Sequence, residues 1–298
     1  MEDRQTNMET SYCGRQALER LATRFPQLYV APREGAQEAH RLASGRGISP
    51  ANANLDHFVK DPEDELRQVN TPSGPIWVLF LKQRCDFETF LQIIGHKSSP
   101  VAIAPTVGAI TFLGLADWEK VAAARASYLA SGGSEWGAEF ARLAATPGAF
   151  RSRIVVISEG PYSNIDAGQT PYGREEWLRV SRKIRLYHEC AHVVCRNEMP
   201  NDILEVWDEV TADVVGLICA TGAYNAQLAM LFLGVSEDGY AGGRITEYLN
   251  DDQMGRIDEV AREIADACAQ IQASCTPEDC ASPFDYLLRL KRTPLLQY

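Results

Sequence analysis

The sequence predicts an α+β protein, with a mixed sheet and its helices in the N-terminal half and a mainly helical C-terminal half. The runs that read as strands concentrate before residue 161, and helical periodicity dominates after 174. Strands and helices are segregated along the chain rather than alternating as βαβ units.

The elements follow in order. "GRQALERLATR" (14–24) reads as a helix stopped at Phe25-Pro26, and the polar stretch 31–75, broken by Pro and Gly, carries no firm pattern. "PIWVLFLK" (75–82) is a buried strand by its short apolar run. "DFETFLQIIG" (86–95) reads as a helix capped by Asp86, and "VAIAPTVGAITFLG" (101–114) as strand, turn, strand with Gly108 at the bend. Helices are expected at 116–130 and 134–145, and "RIVVISEG" (153–160) as a strand of β-branched residues. A Pro/Gly loop leads into a long helix, 174–197. "MPND" (199–202) breaks it, and Asp202 can cap the next helix, 203–222. Further helices are expected at 225–233, 252–274 and 277–291, with a glycine-rich loop "EDGYAGGR" at 237–244. This suggests an N-terminal α/β region, 1–150, of unknown role and a metal-binding, mainly helical catalytic region, 151–298, which can also form one integrated domain.

Bulk properties narrow the function classes. The 298 residues carry 45% apolar and 23% charged side chains, as in ordinary globular proteins. No apolar run is long enough to span a bilayer, and the polar start has no signal-peptide core, so a cytoplasmic protein without membrane contact is expected. A net charge of −11 argues against a nucleic-acid partner. The eight cysteines form no CxxC pair, which argues against a Cys-rich zinc module, and all are read as reduced.

The informative stretch is "YHECAHVVC" (187–195). On the helix 174–197, Trp177, Val180, Ser181, Ile184, His188, Ala191, His192 and Cys195 share one face, so both histidines point inward. Residues i and i+4 are neighbours, which lets His188 and His192 grip one cation. Glu189, rotated about 100° from His188, can reach a water on that cation without being a ligand. A catalytic zinc needs a third protein donor. The next helix offers "EVWDEVTAD" (205–213), with Glu209 and Asp213 spaced i, i+4, and Ala212 and Gly216 beside them allow another helix to approach. His192 lies about 7.5 Å of helix before Asn197 and Glu209 about 10.5 Å after Asp202, so a tight turn brings them level on two adjacent antiparallel helices. Asp213 can then accept the spare N–H of a ligand imidazole.

HExxH followed by ExxxD on the next helix resembles the gluzincin metallopeptidases over residues 188–213. The resemblance implies a zincin-like fold, with His188, His192 and Glu209 as zinc ligands, Glu189 as general base and Asp213 behind the ligands. It also implies an edge strand ahead of the active-site helix that binds an extended substrate, and "RIVVISEG" stands in that place. Asp208 stands where the family often has Asn, 16 residues separate His192 from Glu209, and no histidine follows residue 192. A tyrosine would therefore have to stabilise the oxyanion, with Tyr224, Tyr240 and Tyr248 as candidates, of which Tyr240 is taken first. Arg244, in the glycine-rich loop, is a candidate to hold a substrate carboxylate.

The expected function is therefore zinc-dependent hydrolysis of a peptide or small amide substrate. Two alternatives stand beside it: a two-His-one-carboxylate Fe(II) enzyme doing oxidative chemistry, and a non-catalytic protein with a structural metal. Substrate identity, endo- or exo-action and oligomeric state are left open by the sequence.

Overall fold

The computed structural model describes residues 11–105, 107–199 and 205–296. The chain forms two compact units. The first holds the described residues up to Val69, Pro75–Ala104 and Thr111–Ser158, and the second holds Asn70–Gly74, Pro105–Ile110 and the described residues from Glu159 onward.

In the first unit the elements run β1 (Ser11–Cys13), α1 (Arg15–Arg24), α2 (Gln37–Arg46), β2 (Glu65–Thr71), β3 (Gly74–Leu81), α3 (Arg84–Ile94), β4 (Ala109–Ala116), α4 (Trp118–Ala130), α5 (Trp136–Ala145) and β5 (Arg151–Ser158). The strands form one sheet in the order β1-β2-β3-β5-β4. It is mixed: β1 runs antiparallel to β2, while β3 and β5 are parallel, with Trp77 opposite Ile154 and Leu81 opposite Ser158. Residues 76–81 of β3 are all buried, as expected for a parallel strand covered on both faces. Asp117 anchors the helices beside the sheet. Its buried carboxylate caps α4 through the N–H groups of Glu119 and Lys120, accepts the Ser152 hydroxyl of β5 and pairs with Arg24 of α1.

Several expectations are corrected here. The stretch 31–75, unreadable from its pattern, contains α2 and β2. Residues 101–105 form no strand, because Pro100 and Pro105 bracket "VAIA" and neither has an N–H to donate. Asp86 lies inside the first turn of α3, whose N-cap position is Gln83, and its carboxylate accepts the backbone N–H groups of Val59 and Lys60. The strand expected at the sheet edge, β5, lies between β3 and β4. Its Ile-Val-Val-Ile run is what a strand buried on both faces carries, and among the described strands β4 stands at that margin.

The second unit contains α6 (Arg174–Glu198), α7 (Glu205–Thr221), α8 (Ala226–Leu233), a two-stranded hairpin of β6 (Val235–Ser236) and β7 (Gly239–Tyr240), then α9 (Asp251–Gly255), α10 (Ile257–Ser274), α11 (Pro277–Ala281) and α12 (Pro283–Arg292). The last four replace two longer expected helices. Arg256 leaves helical geometry between α9 and α10, and Ser282 does so between α11 and α12, where Pro283 excludes the helical conformation of the residue before it. Part of the tight turn expected at 198–201 and the cap expected at Asp202 fall on residues 200–204, outside the described residues. No helix among the described residues is long and apolar enough to cross a membrane.

The core of this unit is built on Trp177, Trp207 and Phe232, packed with Val210, Val214, Leu217 and Ile264. The ring of Tyr172 stacks on Trp177, whose indole N–H donates to the Ile165 carbonyl. Asn225 caps α8 by accepting the Leu228 N–H, and Gly234 ends it in the left-handed region at φ 74. Helices α6 and α7 are antiparallel: Gly216 meets Ile184, Asp213 meets His188, and Glu209 meets His192. A Cβ at Gly216 would lie 3.0 Å from the Ile184 carbonyl oxygen and 3.1 Å from its Cγ2. The missing side chain therefore sets how closely the two helices approach. Gly216→Val should push them apart and cost ~1–3 kcal/mol in chemical denaturation, as overpacked cores do. An unchanged unfolding midpoint would mean that the contact yields freely.

Candidate metal centre

Helix α6 positions the two histidines. Its first turn carries Glu175 and Glu176 and its last turn Arg196, matching the helix dipole. The inward face buries Trp177, Ser181, Ile184, His188, Ala191 and Cys195. His192 is partly exposed, at 17% of its side chain. From the facing helix α7 come Glu209, nearly buried, and Asp213, fully buried.

The donor atoms converge. The Nε2 atoms of His188 and His192 are 3.1 Å apart. Glu209 presents Oε1 at 3.2 Å from His192 Nε2 and Oε2 at 3.4 Å from His188 Nε2. Among the described residues, these three form a group that could hold a metal ion. Glu209 Oε2 is buried and has no hydrogen-bond partner. A buried carboxylate whose two oxygens each face an imidazole nitrogen suits a cation, because an unsatisfied buried acceptor is otherwise costly.

The far side of His188 is held by a hydrogen-bond network. Its Nδ1 lies 2.9 Å from Asp213 Oδ1, so an N–H there donates to the carboxylate and leaves Nε2 turned toward Glu209 and His192. The Tyr162 hydroxyl donates to the same oxygen at 2.6 Å, and Arg244 donates to Asp213 Oδ2 at 2.6 Å. The Tyr162 ring packs edge-on against Phe232, 4.8 Å between centroids, which fixes the phenol in place.

The charges of the ion-free cluster follow from this geometry. Burial opposes a charged His188, but Glu209 and the bond to Asp213 outweigh it and raise the imidazole pKa to about 9. Burial also opposes the charge on Glu209, yet His188, His192 and Arg244 hold its pKa well below the usual carboxylate range. The same opposition holds at Asp213, where Arg244 and His188 prevail and lower the pKa. Burial keeps the Tyr162 phenol protonated, hence a donor. A cation entering here would displace the His188 proton.

A cavity of about 400 Å³ opens on the cluster. His188, His192 and Glu209 line it, together with Glu189, Arg185 and Tyr248. Residues 107–109, ending at the first residue of β4, form another part of its wall. Ser163 and Asn164 also reach it, and both hold left-handed backbone at φ 49 and φ 58. Such conformations strain non-glycine residues and concentrate at functional sites.

The structure thus brings His188, His192, Glu209, Asp213 and Glu189 to one place. It gives Arg244 different partners from a substrate carboxylate, since the guanidinium is engaged by Asp213 and lies 3.5 Å from Glu209. Tyr240 is not among the residues lining the cavity. Its hydroxyl accepts the Gly243 N–H and donates to the Gly243 carbonyl. Tyr224 is buried in the core cluster, while Tyr248 lines the cavity.

Sequence reasoning missed Tyr162 and Arg185. Arg185 sits one helical turn before His188 and donates to the carbonyls of Gly160 and Pro161, so it secures the loop that carries Tyr162. Neither belongs to a spacing motif. The one available signal was Arg185 on the inward side of an amphipathic helix, where a charge requires partners. Tyr162→Phe should cost about 1.5–3 kcal/mol, the range for a hydrogen bond to a charged group, in denaturant unfolding of the ion-free protein. A loss below about 0.5 kcal/mol would show that Asp213 is held without the phenol.

No curated protein and no solved structure matches the chain. A family model described as "Family of unknown function (DUF7005)" matches residues 8–279, and the chain belongs to that family.

Proposed function

We propose that the protein is a zinc-dependent hydrolase of peptide or amide bonds, with a zincin-like arrangement of the gluzincin type. The observation that carries this reading is the spacing of the donor atoms. Two donors bonded to zinc at 2.0–2.1 Å and set at the tetrahedral angle lie about 3.3 Å apart. Here the two Nε2 atoms are 3.1 Å apart, Glu209 Oε1 lies 3.2 Å from His192 Nε2 and Oε2 lies 3.4 Å from His188 Nε2, and one ligand atom from each residue lies within 4.8 Å of the others. The cavity beside them supports an open coordination position rather than a closed structural site.

Zinc held by His188, His192 and Glu209 would supply Lewis-acid polarisation of the scissile carbonyl and acidify a water. Asp213 holds the Nδ1–H tautomer of His188, which keeps Nε2 available as a donor. Glu189 follows His188 directly on α6 and lines the cavity, where it takes the proton of the attacking water and passes it to the leaving amine. Burial raises the Tyr248 pKa, so its phenol stays protonated in the cavity wall and can donate to a developing oxyanion. Residues 107–109 form a wall of the cavity beside which a substrate would lie.

A two-His-one-carboxylate set also suits Fe(II), so the metal content of protein purified with and without air separates the two readings. Glu189 on the cavity wall favours hydrolysis. Purified protein should contain about one zinc per chain by elemental analysis. Glu189→Gln should retain that zinc while losing ~10²–10⁴ of its chelator-sensitive turnover on a peptide library. Undiminished turnover in Glu189→Gln would remove this residue from the chemistry.

A further inference from the structure

The loop "GYAGGR" ends in a built seat for one side chain. Gly234, which terminates α8 in the left-handed region, lies against Gly242 and Gly243. A Cβ at Gly234 would fall 2.4 Å from the Gly242 carbonyl oxygen, and one at Gly243 would fall 2.6 Å from Gly234 Cα. Two backbones meet here with no room for a methyl group, and the next residue is Arg244.

The guanidinium is directed at both acids of the cluster. Its Nη2 lies 2.6 Å from Asp213 Oδ2, and its Nη1 lies 3.5 Å from Glu209 Oε2, the oxygen that also faces His188. The rings of Tyr162 and Tyr248 flank it at 5.2 Å and 6.0 Å. Its Nε is buried and has no hydrogen-bond partner. A fixed positive charge thus touches a carboxylate that would bind the metal and the carboxylate that supports a ligand histidine. Any divalent cation gripped by Glu209 would lie within a few ångströms of that charge, in surroundings that screen poorly.

We propose that Arg244 is a positioning residue that acts as an internal counter-cation. It holds the Glu209 and Asp213 side chains convergent in the ion-free protein, and its charge weakens the site's hold on the metal. The inference rests on the metal reading of the preceding subsection. It assigns the arginine to the cation rather than to a substrate carboxylate. The glycine contact gives a reason for the loop sequence, since a displaced loop would carry the charge away from both acids.

The test compares the full chain with Arg244→Met and Arg244→Lys. Zinc affinity is read by competition with a chromophoric chelator at fixed ionic strength, and thermal unfolding is followed with and without zinc. Arg244→Met should bind zinc about tenfold or more tighter than the parent, because a neighbouring like charge has gone. Without ion it should melt below the parent, and it should gain more from added zinc. Should it fail to fold ion-free, excess zinc should restore the fold. Arg244→Lys should stay close to the parent in zinc affinity.

Damage to a site lowers metal affinity, so tighter binding is an outcome that a merely structural role does not produce. Equal or weaker binding by Arg244→Met, failure to fold even in zinc, or tighter binding shared by Arg244→Lys would each overturn the assignment. A parent chain that binds no zinc would overturn the metal reading and this inference with it. A parent that binds zinc as tightly as Arg244→Met would overturn the inference alone.

Discussion

The second unit depends on the close antiparallel contact of α6 and α7, because that contact is where buried charges must balance. Glu209 and Asp213 are acids buried among apolar residues such as Val210 and Val214, and each would be costly to bury alone. They are tolerated because α6 presents His188 and His192, and the loop after the hairpin presents Arg244. Gly216 lets the backbones come close enough for these side chains to meet at hydrogen-bonding distance.

This balance explains the chemistry available to the site. In the ion-free cluster, a protonated His188 and Arg244 offset the two carboxylates. A divalent cation would take the place of the His188 proton while the arginine stays beside both carboxylates. On the counter-cation proposal, that fixed charge would limit how tightly the site holds a metal.

Tyr162 connects the network to the loop ahead of α6. Its phenol reaches Asp213 from a segment tied down by Arg185 through the carbonyls of Gly160 and Pro161. The next two residues, Ser163 and Asn164, take left-handed backbone and line the cavity. One short segment thus reaches Asp213 with its first side chain and lines the cavity with the following two residues.

Much of the centre was legible because helical spacing converts sequence distance into geometry. His188 and His192 share a face by the i, i+4 rule, as do Glu209 and Asp213, and the short link between the helices leaves little freedom in their pairing. The buried strand at β3 and the helices α1, α4, α5 and α8 were readable for the same reason, since each carries its own period or punctuation. Only the tertiary structure decided the rest. The place of β5 inside the sheet depends on hydrogen-bond partners far away in the chain, and a run of β-branched residues does not encode which strands flank it. The partners of Arg244 and the role of Tyr162 depend on loops, whose side chains have no periodicity to place them. A motif specifies what neighbours on one helix can do together; which distant charge settles beside them is determined by packing.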